Sequence, residues 1–155
     1  GGGRIVGEAC HFIDLMQYFS DSIPVSVYAT CIGSSNVKIK TDDNISVIVK
    51  FSNGSIGNLI YLANGDKSLP KEQIEVFGAG KVGIINDFRR GLFHNKNKAE
   101  KLKLDGKGHK QEVKAFMDVL NTGQDTPISF ESIYKTTITT FKIIDSLTTG
   151  LPQDI

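Results

Sequence analysis

Apolar residues recur every three or four positions through the first part of the chain, which is the spacing of one helix face. A helical wheel of about 100° per residue divides these residues into an apolar arc and a polar arc, and Gly7 lies on the polar arc. The apolar arc is Ile5, Ala9, Phe12, Ile13, Met16 and Phe19, and the polar arc is Arg4, Gly7, Glu8, His11, Asp14 and Tyr18. The pattern predicts an amphipathic helix after a run of glycines, with an imidazole between two carboxylates on its polar face.

The middle of the chain alternates between apolar and polar residues, which predicts strands. Segments 45–51 and 55–63 flank Asn53-Gly54, a dipeptide typical of a tight hairpin whose two central residues need positive φ. The other predicted strands are 25–32, 73–77 and 82–88, with weaker candidates at 89–95 and 99–104.

Helical spacing returns near the end of the chain. Residues 109–121 carry an apolar face and stop at Gly123, in the manner of a glycine C-cap. A last helix follows Ser129, and Gly150 ends it. Its predicted buried stripe is Ile133, Thr137, Thr140, Phe141, Ile144 and Leu147.

Grouped strands between helices predict an α+β fold with an open, mainly antiparallel sheet of five to six strands and helices on one face. The strands are apolar on their second face as well, since Leu59 and Tyr61 alternate with Ile60 and Leu62. A sheet that is apolar on both faces needs a second cover. We therefore expect a homo-oligomer, a dimer or tetramer, formed through the other sheet face.

The chain has 155 residues, of which 39% are apolar and 23% charged. These values predict a single globular domain over 1–155, long enough for a core. No apolar run approaches the about 20 residues of a membrane span, no signal peptide is visible, and Cys10 and Cys31 lack a disulfide framework, so we expect a cytoplasmic protein. The opening glycines, without Met, suggest a fragment of a longer protein.

Basic residues concentrate between Arg89 and Lys114, where nine Lys or Arg face three acids. They could be a solvated surface on edge strands, where lysines discourage further pairing, or a surface for a phosphate-bearing ligand. We favour the first interpretation, because no aromatic residues alternate with the charges as base stacking requires. The net charge of +1 gives no reason to expect nucleic acid.

His11 is the candidate for acid–base chemistry, because imidazole exchanges protons near neutral pH and a neighbouring carboxylate can orient it. The alternative is an ordinary surface histidine. Metal binding by Glu8, His11 and Asp14 is not predicted, since His94 and His109 lie far along the chain and neither cysteine has ligand spacing.

Residues 78–83 read Gly-Ala-Gly-Lys-Val-Gly, which fits the dinucleotide motif G-x-G-x-x-G. That motif works only between a strand and a helix whose N-terminus receives the pyrophosphate. Here a strand-like segment follows, so we predict a hairpin turn and no cofactor site.

Taken in order, these motifs make the chain similar nearly end to end to the C-terminal domain of the glucose–fructose oxidoreductase/inositol dehydrogenase (Gfo/Idh/MocA) family. The first carrier is the G-G-G-…-H-x-x-D pattern, which matches Gly1-Gly2-Gly3, His11 and Asp14. The others are Ile74-Glu75-Val76-Phe77-Gly78 leading to Asp87-Phe88-Arg89, then Gly108-His109 before Glu112 and Ala115-Phe116, and finally Thr149-Gly150-Leu151-Pro152.

The resemblance implies an NAD(P)-dependent oxidoreductase whose cofactor, NAD or NADP, is bound mainly by an N-terminal Rossmann domain absent from this chain. The substrate would be a sugar, sugar nucleotide or cyclitol, with His11 relaying the hydroxyl proton and Asp14 orienting His11 or the substrate. We expect substrate contacts from Arg4, Glu8 and Tyr18 and cofactor contacts from Gly2 and Gly3.

The chain departs from the family pattern at Gly7, where an acid often stands four residues before the histidine. The alternative function is therefore a non-catalytic assembly or regulatory module with an exposed sheet. Under either hypothesis the isolated chain, without a nucleotide domain, is expected to be inactive.

Overall fold

The computed structural model of the chain describes residues 3–36, 38 and 40–155. Its contacts form two compact units, each treated by itself. The first comprises Gly1–Asn64 and Ile128–Ile155, and the second is Gly65–Pro127.

The first unit opens with a helix that contains a π-helical turn, Ile5–Ala9, and continues as α1, Cys10–Ser20. Strands β1 (Pro24–Cys31), β2 (Asn44–Phe51) and β3 (Ile56–Leu62) follow, with a short 3₁₀ turn, Thr41–Asp43, before β2. After the second unit come α3 (Phe130–Thr149) and the two-residue strand β8 (Gln153–Asp154). The sheet order is β3-β2-β1-β8, and all of its pairs are antiparallel.

The core of the first unit lies between the sheet and its two helices. Alternate residues of β2, which are Ile45, Val47, Val49 and Phe51, are almost fully buried, as period-two patterning requires. They pack with the helical Ile5, Ala9 and Ile13 and with Ile143 of α3 in one cluster. The opposite sheet face exposes Tyr28, Ile48, Ile56, Ile60 and Leu62.

The predicted buried stripe of α3 is wrong for most of its members. Ile133, Thr137, Phe141 and Ile144 are exposed, whereas the buried residues are Thr136, Thr139, Thr140, Ile143 and Ser146. Threonine hydroxyls can be buried here because they donate to the helix's own carbonyls, for example Thr139 Oγ1 to Lys135 O at 2.6 Å.

The hairpin at Asn53-Gly54 is confirmed, but its turn differs from the prediction. Gly54 alone has positive φ (88°), and the Phe51 N–H reaches across to Ser55 O at 3.0 Å. The wider loop leaves Asn53 in an ordinary conformation, and its Oδ1 accepts from the Ser55 N–H at 3.0 Å. A longer loop with one left-handed glycine therefore replaces the two-residue turn.

The second unit is a four-stranded antiparallel meander followed by one helix. Its strands are β4 (Gln73–Gly78), β5 (Lys81–Asn86), β6 (Arg90–Asn95) and β7 (Lys98–Lys103), in sheet order β4-β5-β6-β7, and its helix is α2 (His109–Thr122). Gly78 and Lys81 pair across the turn Ala79-Gly80, so the glycine motif is the predicted hairpin. β7 is an edge strand, and all six of its residues are exposed.

The α+β class and the antiparallel pairing are confirmed. The strand count differs, since within the described residues eight strands form two sheets of four in place of one sheet of five to six. β8 pairs through only two residues and gave no strand signal, whereas β7 carries mainly charged side chains and is predicted only as the weaker candidate 99–104.

Candidate functional site

The π-helical turn divides the predicted polar arc, so that its residues before and after the turn lie in different surroundings. A π turn closes its hydrogen bonds over one more residue than an α turn, so the wheel of about 100° per residue fails between Ile5 and Ala9. Arg4 and Glu8 meet at the near end of the helix, where they form an ion pair of 3.7 Å. His11 and Asp14 come after the turn and lie beside α3 instead.

His11 and Asp14 line an open groove of about 270 Å³. The side chain of His11 is exposed, and that of Asp14 is half-buried. The remaining lining residues are Val6 and Cys10 from the helix, with Ile128, Ile133, Thr136, Thr137 and Thr140 from the chain entering α3 and from α3 itself. The structure thus brings the two predicted catalytic residues together at a concave surface.

Two threonines in the polar lining of the groove have hydroxyl protons that are already engaged. Thr137 Oγ1 donates its proton to Ile133 O at 3.0 Å, and Thr140 Oγ1 donates to Thr137 O at 2.7 Å. A hydroxyl whose proton is already engaged offers only lone pairs to a ligand. Together with the Asp14 carboxylate, Thr137 therefore favours a ligand that carries hydroxyl donors.

Cys10 is the other titratable group in the groove. Partial burial raises the pKa of its thiol above the ordinary 9.0, and the negative charge of Asp14 adds to the effect. The thiol is therefore protonated at neutral pH, so it contributes no thiolate nucleophile.

The two walls of the groove are joined beneath it by Gln17 of α1, which is 5% exposed. Its Nε2 donates to Thr136 Oγ1 at 2.6 Å and to Ser132 O at 3.1 Å. These bonds fix α1 against α3, so the distance from His11 to the threonines of α3 depends on a buried polar contact.

Arg4 and Glu8 belong to a network with two residues that sequence reasoning missed. Tyr61 of β3 donates to Glu8 Oε2 at 2.6 Å and accepts from Arg4 Nη1 at 3.0 Å. Arg4 Nε also pairs with Asp43 Oδ2 at 3.2 Å. No sequence motif includes Tyr61, and the alternation pattern places it only on an apolar strand face. The one available signal was a phenol hydroxyl in an otherwise apolar strand.

Burial raises the pKa of the Tyr61 phenol above its ordinary 10.0, and its hydrogen bond to Glu8 acts in the same direction. Hydrogen bonding to Tyr61 likewise raises the pKa of Arg4. At neutral pH the phenol is therefore protonated and can donate to Glu8 while it accepts from Arg4.

The remaining predicted site residues lie apart from the groove. Tyr18 is 78% exposed and contacts Phe19 edge to face, with ring centroids 5.7 Å apart. Gly3 has a φ of 76° and lines, with Arg4, a second cleft of about 340 Å³. Gly2 lies outside the described residues.

Within the described residues, no three His, Cys, Asp or Glu side chains are grouped so that they could hold a metal ion. Likewise, none of the helices in the described part of the chain combines the length and the apolar character needed to cross a bilayer.

A family model described as the GFO/IDH/MocA C-terminal domain matches residues 1–81, which include His11 and Asp14. Among curated proteins, none matches the sequence.

Solved structures share the fold. UDP-N-acetylglucosamine 3-dehydrogenase GnnA from Acidithiobacillus ferrooxidans is 14% identical with a TM-score of 0.77, over 92% of this chain and 46% of that one. An oxidoreductase from Agrobacterium radiobacter, in complex with NAD+, L-tartaric acid and magnesium, is 16% identical with a TM-score of 0.80, over 95% and 47%. Aldose-aldose oxidoreductase from Caulobacter crescentus, complexed with glycerol, is 12% identical with a TM-score of 0.78, over 94% and 45%. The chain thus spans less than half the length of each of these proteins.

Proposed function

Because the chain belongs to the GFO/IDH/MocA C-terminal domain family, we propose that it forms the substrate-facing part of an NAD(P)-dependent oxidoreductase. The substrate class is a sugar, a sugar nucleotide or a cyclitol. The observation that carries the proposal is the exposed His11, which lines a groove together with Asp14 and with Thr137, whose hydroxyl can accept a hydrogen bond. Two structural neighbours, named as a UDP-sugar dehydrogenase and an aldose-aldose oxidoreductase, support the substrate class.

The groove is large enough for one part of the substrate or of the cofactor. Its volume of about 270 Å³ lies just below the range of about 300–1,000 Å³ for sites that enclose a drug-sized ligand. It suits one sugar ring or the nicotinamide end of a cofactor. The glycines that could cradle a pyrophosphate form a hairpin between β4 and β5, so we propose that an N-terminal Rossmann domain binds the nucleotide.

His11 would accept the proton of the substrate hydroxyl while the oxidised nicotinamide takes a hydride from the same carbon. Asp14 lies one helical turn beyond His11, on the same groove, and would orient the imidazole or hold a second hydroxyl. Such acid–base help contributes about 10²–10⁴-fold to a rate. Thr137 would accept a hydrogen bond from a further hydroxyl of the ligand.

Arg4, Glu8 and Tyr18 stay predictions as substrate contacts, and Gly3 stays a prediction as a cofactor contact. Arg4 and Glu8 would have to reach the ligand from within their network with Tyr61. Tyr18 is absent from the groove lining and would need a ligand that extends past it.

The test is His11→Ala in the full-length protein that contains this chain. We expect kcat for the hydroxyl substrate to fall by about 10²–10⁴-fold, with the cofactor dissociation constant unchanged in a fluorescence titration. His109→Ala is the matched control, since His109 is 80% exposed at the start of α2. Undiminished turnover by His11→Ala would overturn the acid–base role.

We also propose that the apolar outer face of the first sheet joins copies of the chain in a dimer or tetramer. Its exposed side chains support an assembly role, which is also the alternative function if the groove proves inactive. A cytoplasmic location stays a prediction, and it accords with Cys10 and Cys31 being free thiols.

A further inference from the structure

Tyr61 contacts the opening helix at its π-helical turn. The residue lies on β3, an edge strand of the first sheet, in register with Ile45 of β2. Its hydroxyl bonds to Arg4, which immediately precedes the turn, and to Glu8, which lies within it. One phenol therefore joins both ends of the turn to the sheet.

The bridge requires a hydroxyl, because its oxygen must donate to a carboxylate and accept from a guanidinium at once. Asp43 provides a second anchor through its ion pair with Arg4. The backbone beside Asp43 is itself fixed by Asn44, which is 2% exposed and whose Oδ1 accepts the N–H groups of Ala63 and Asn64. Asp43 is therefore followed by a residue whose own hydrogen bonds connect it to the end of β3.

The π turn controls how the two parts of the helix are rotated relative to each other. Converting it to an α turn would remove the extra residue from the hydrogen-bonded ring and rotate everything on one side of it. Val6 within the turn and His11 two residues beyond it line the same groove. The direction of His11 relative to the groove therefore depends on the turn being kept.

We propose that Tyr61 is a positioning residue, whose hydroxyl holds the π turn Ile5–Ala9 against β3 and thereby sets the direction in which His11 faces the groove. The importance of this direction for catalysis rests on the function proposed above. The direction itself can be measured without any activity.

The experiment compares Tyr61→Phe with the wild-type 155-residue chain by NMR. The substitution removes one oxygen from a half-buried ring and leaves the packing of the ring in place. We expect the ring resonances of His11 to shift and the amides of residues 5–11 to exchange about five- to tenfold faster, as loss of a modest hydrogen bond predicts. Glu8→Gln keeps an acceptor for the phenol and should give a smaller change of the same kind.

Two controls separate positioning from general loss of stability. Tyr28→Phe removes a hydroxyl from the exposed face of β1, and Ser146→Ala weakens the fold at a site remote in sequence from the turn. Neither should move the His11 resonances. The proposal is overturned if Tyr61→Phe leaves those resonances unmoved, or if Ser146→Ala moves them equally.

In the full-length protein, Tyr61→Phe should lower kcat by about tenfold with KM within about twofold of wild type, because misdirection of an acid–base group affects the chemical step. If kcat were unchanged while the His11 resonances shifted, the direction of His11 would have no effect on catalysis. Full activity of His11→Ala would instead refute the proposed function, so the two failures are distinguishable.

Discussion

Several residues other than glycine in the second unit have positive φ, a left-handed backbone conformation that favours glycine. Ala79 and Gly80 form the two-residue turn between β4 and β5, with φ values of 48° and 71°. Asp87 and Phe88 lie in the three-residue loop 87–89 between β5 and β6, with φ values of 50° and 52°. A left-handed conformation costs an L-residue about 1–2 kcal/mol, so these turns lower the stability of their hairpins.

Ala79→Gly should therefore stabilise the second unit by about 0.5–1 kcal/mol, which is the relieved strain less the greater entropy of glycine in the unfolded chain. Denaturant unfolding, followed at the amides of β4 and β5, measures the effect. Ala99→Gly in β7 is the control, and it should destabilise by about 0.5–1 kcal/mol because glycine weakens a strand. An Ala79→Gly variant less stable than wild type would contradict the strain argument.

At the scale of elements, α3 and β1 are joined by polar groups that compensate for a short strand. β8 pairs with β1 only at Ser26 and Val27. Farther along β1, the N–H of Ala29 donates to Ser146 Oγ at 2.9 Å, and this hydroxyl donates to Leu151 O at 2.8 Å. Ser146 thus continues the hydrogen bonding of the sheet where β8 is missing.

Ser146→Ala should lower the free energy of unfolding by about 1–3 kcal/mol, because it leaves a buried N–H and a carbonyl without their partner. Urea unfolding of the chain provides the measurement. Thr148→Ala, at an exposed hydroxyl on the same helix, should stay within about 0.5 kcal/mol of wild type. Equal losses of unfolding free energy in the two variants would show that the buried hydrogen bonds of Ser146 stabilise the fold no more than an exposed hydroxyl does.

At the scale of the whole molecule, the proposed oligomer would depend on the outer face of the first sheet. Ile56, Ile60 and Leu62 lie on the same face of β3 and are 64%, 70% and 56% exposed. Apolar surface of this kind is stabilised when another protein surface covers it.

Ile60→Lys should raise the dissociation constant of the proposed oligomer at least about tenfold, since it places a charge in the apolar contact and removes apolar burial. Sedimentation equilibrium of wild type and variant measures the change. Leu69→Lys, 74% exposed in the loop before β4, is the matched control and should associate as wild type does. A wild-type chain that stays monomeric at high concentration would refute the interface.

Local pattern determined much of this protein. The alternation through β2 fixed which of its residues are buried, because a strand has a period of two whatever packs on it. The glycine motif at 78–83 could be assigned to a hairpin from the strand-like residues after it. His11 and Asp14 could be paired from spacing alone, since they lie three positions apart on the regular part of the helix.

Tertiary structure decided the rest, because these features arise from contacts between distant segments. Tyr61 meets Glu8 across 53 positions, and the π turn separates Arg4 and Glu8 from the groove that a regular helical wheel would give them. On α3, Thr139 and Thr140 are buried beside Ile143 while Phe141 and Ile144 are exposed, since short side chains with internally bonded hydroxyls can pack against β1. Sequence periodicity records the polarity of side chains, and only packing determines which face of a helix with mixed polarity meets the sheet.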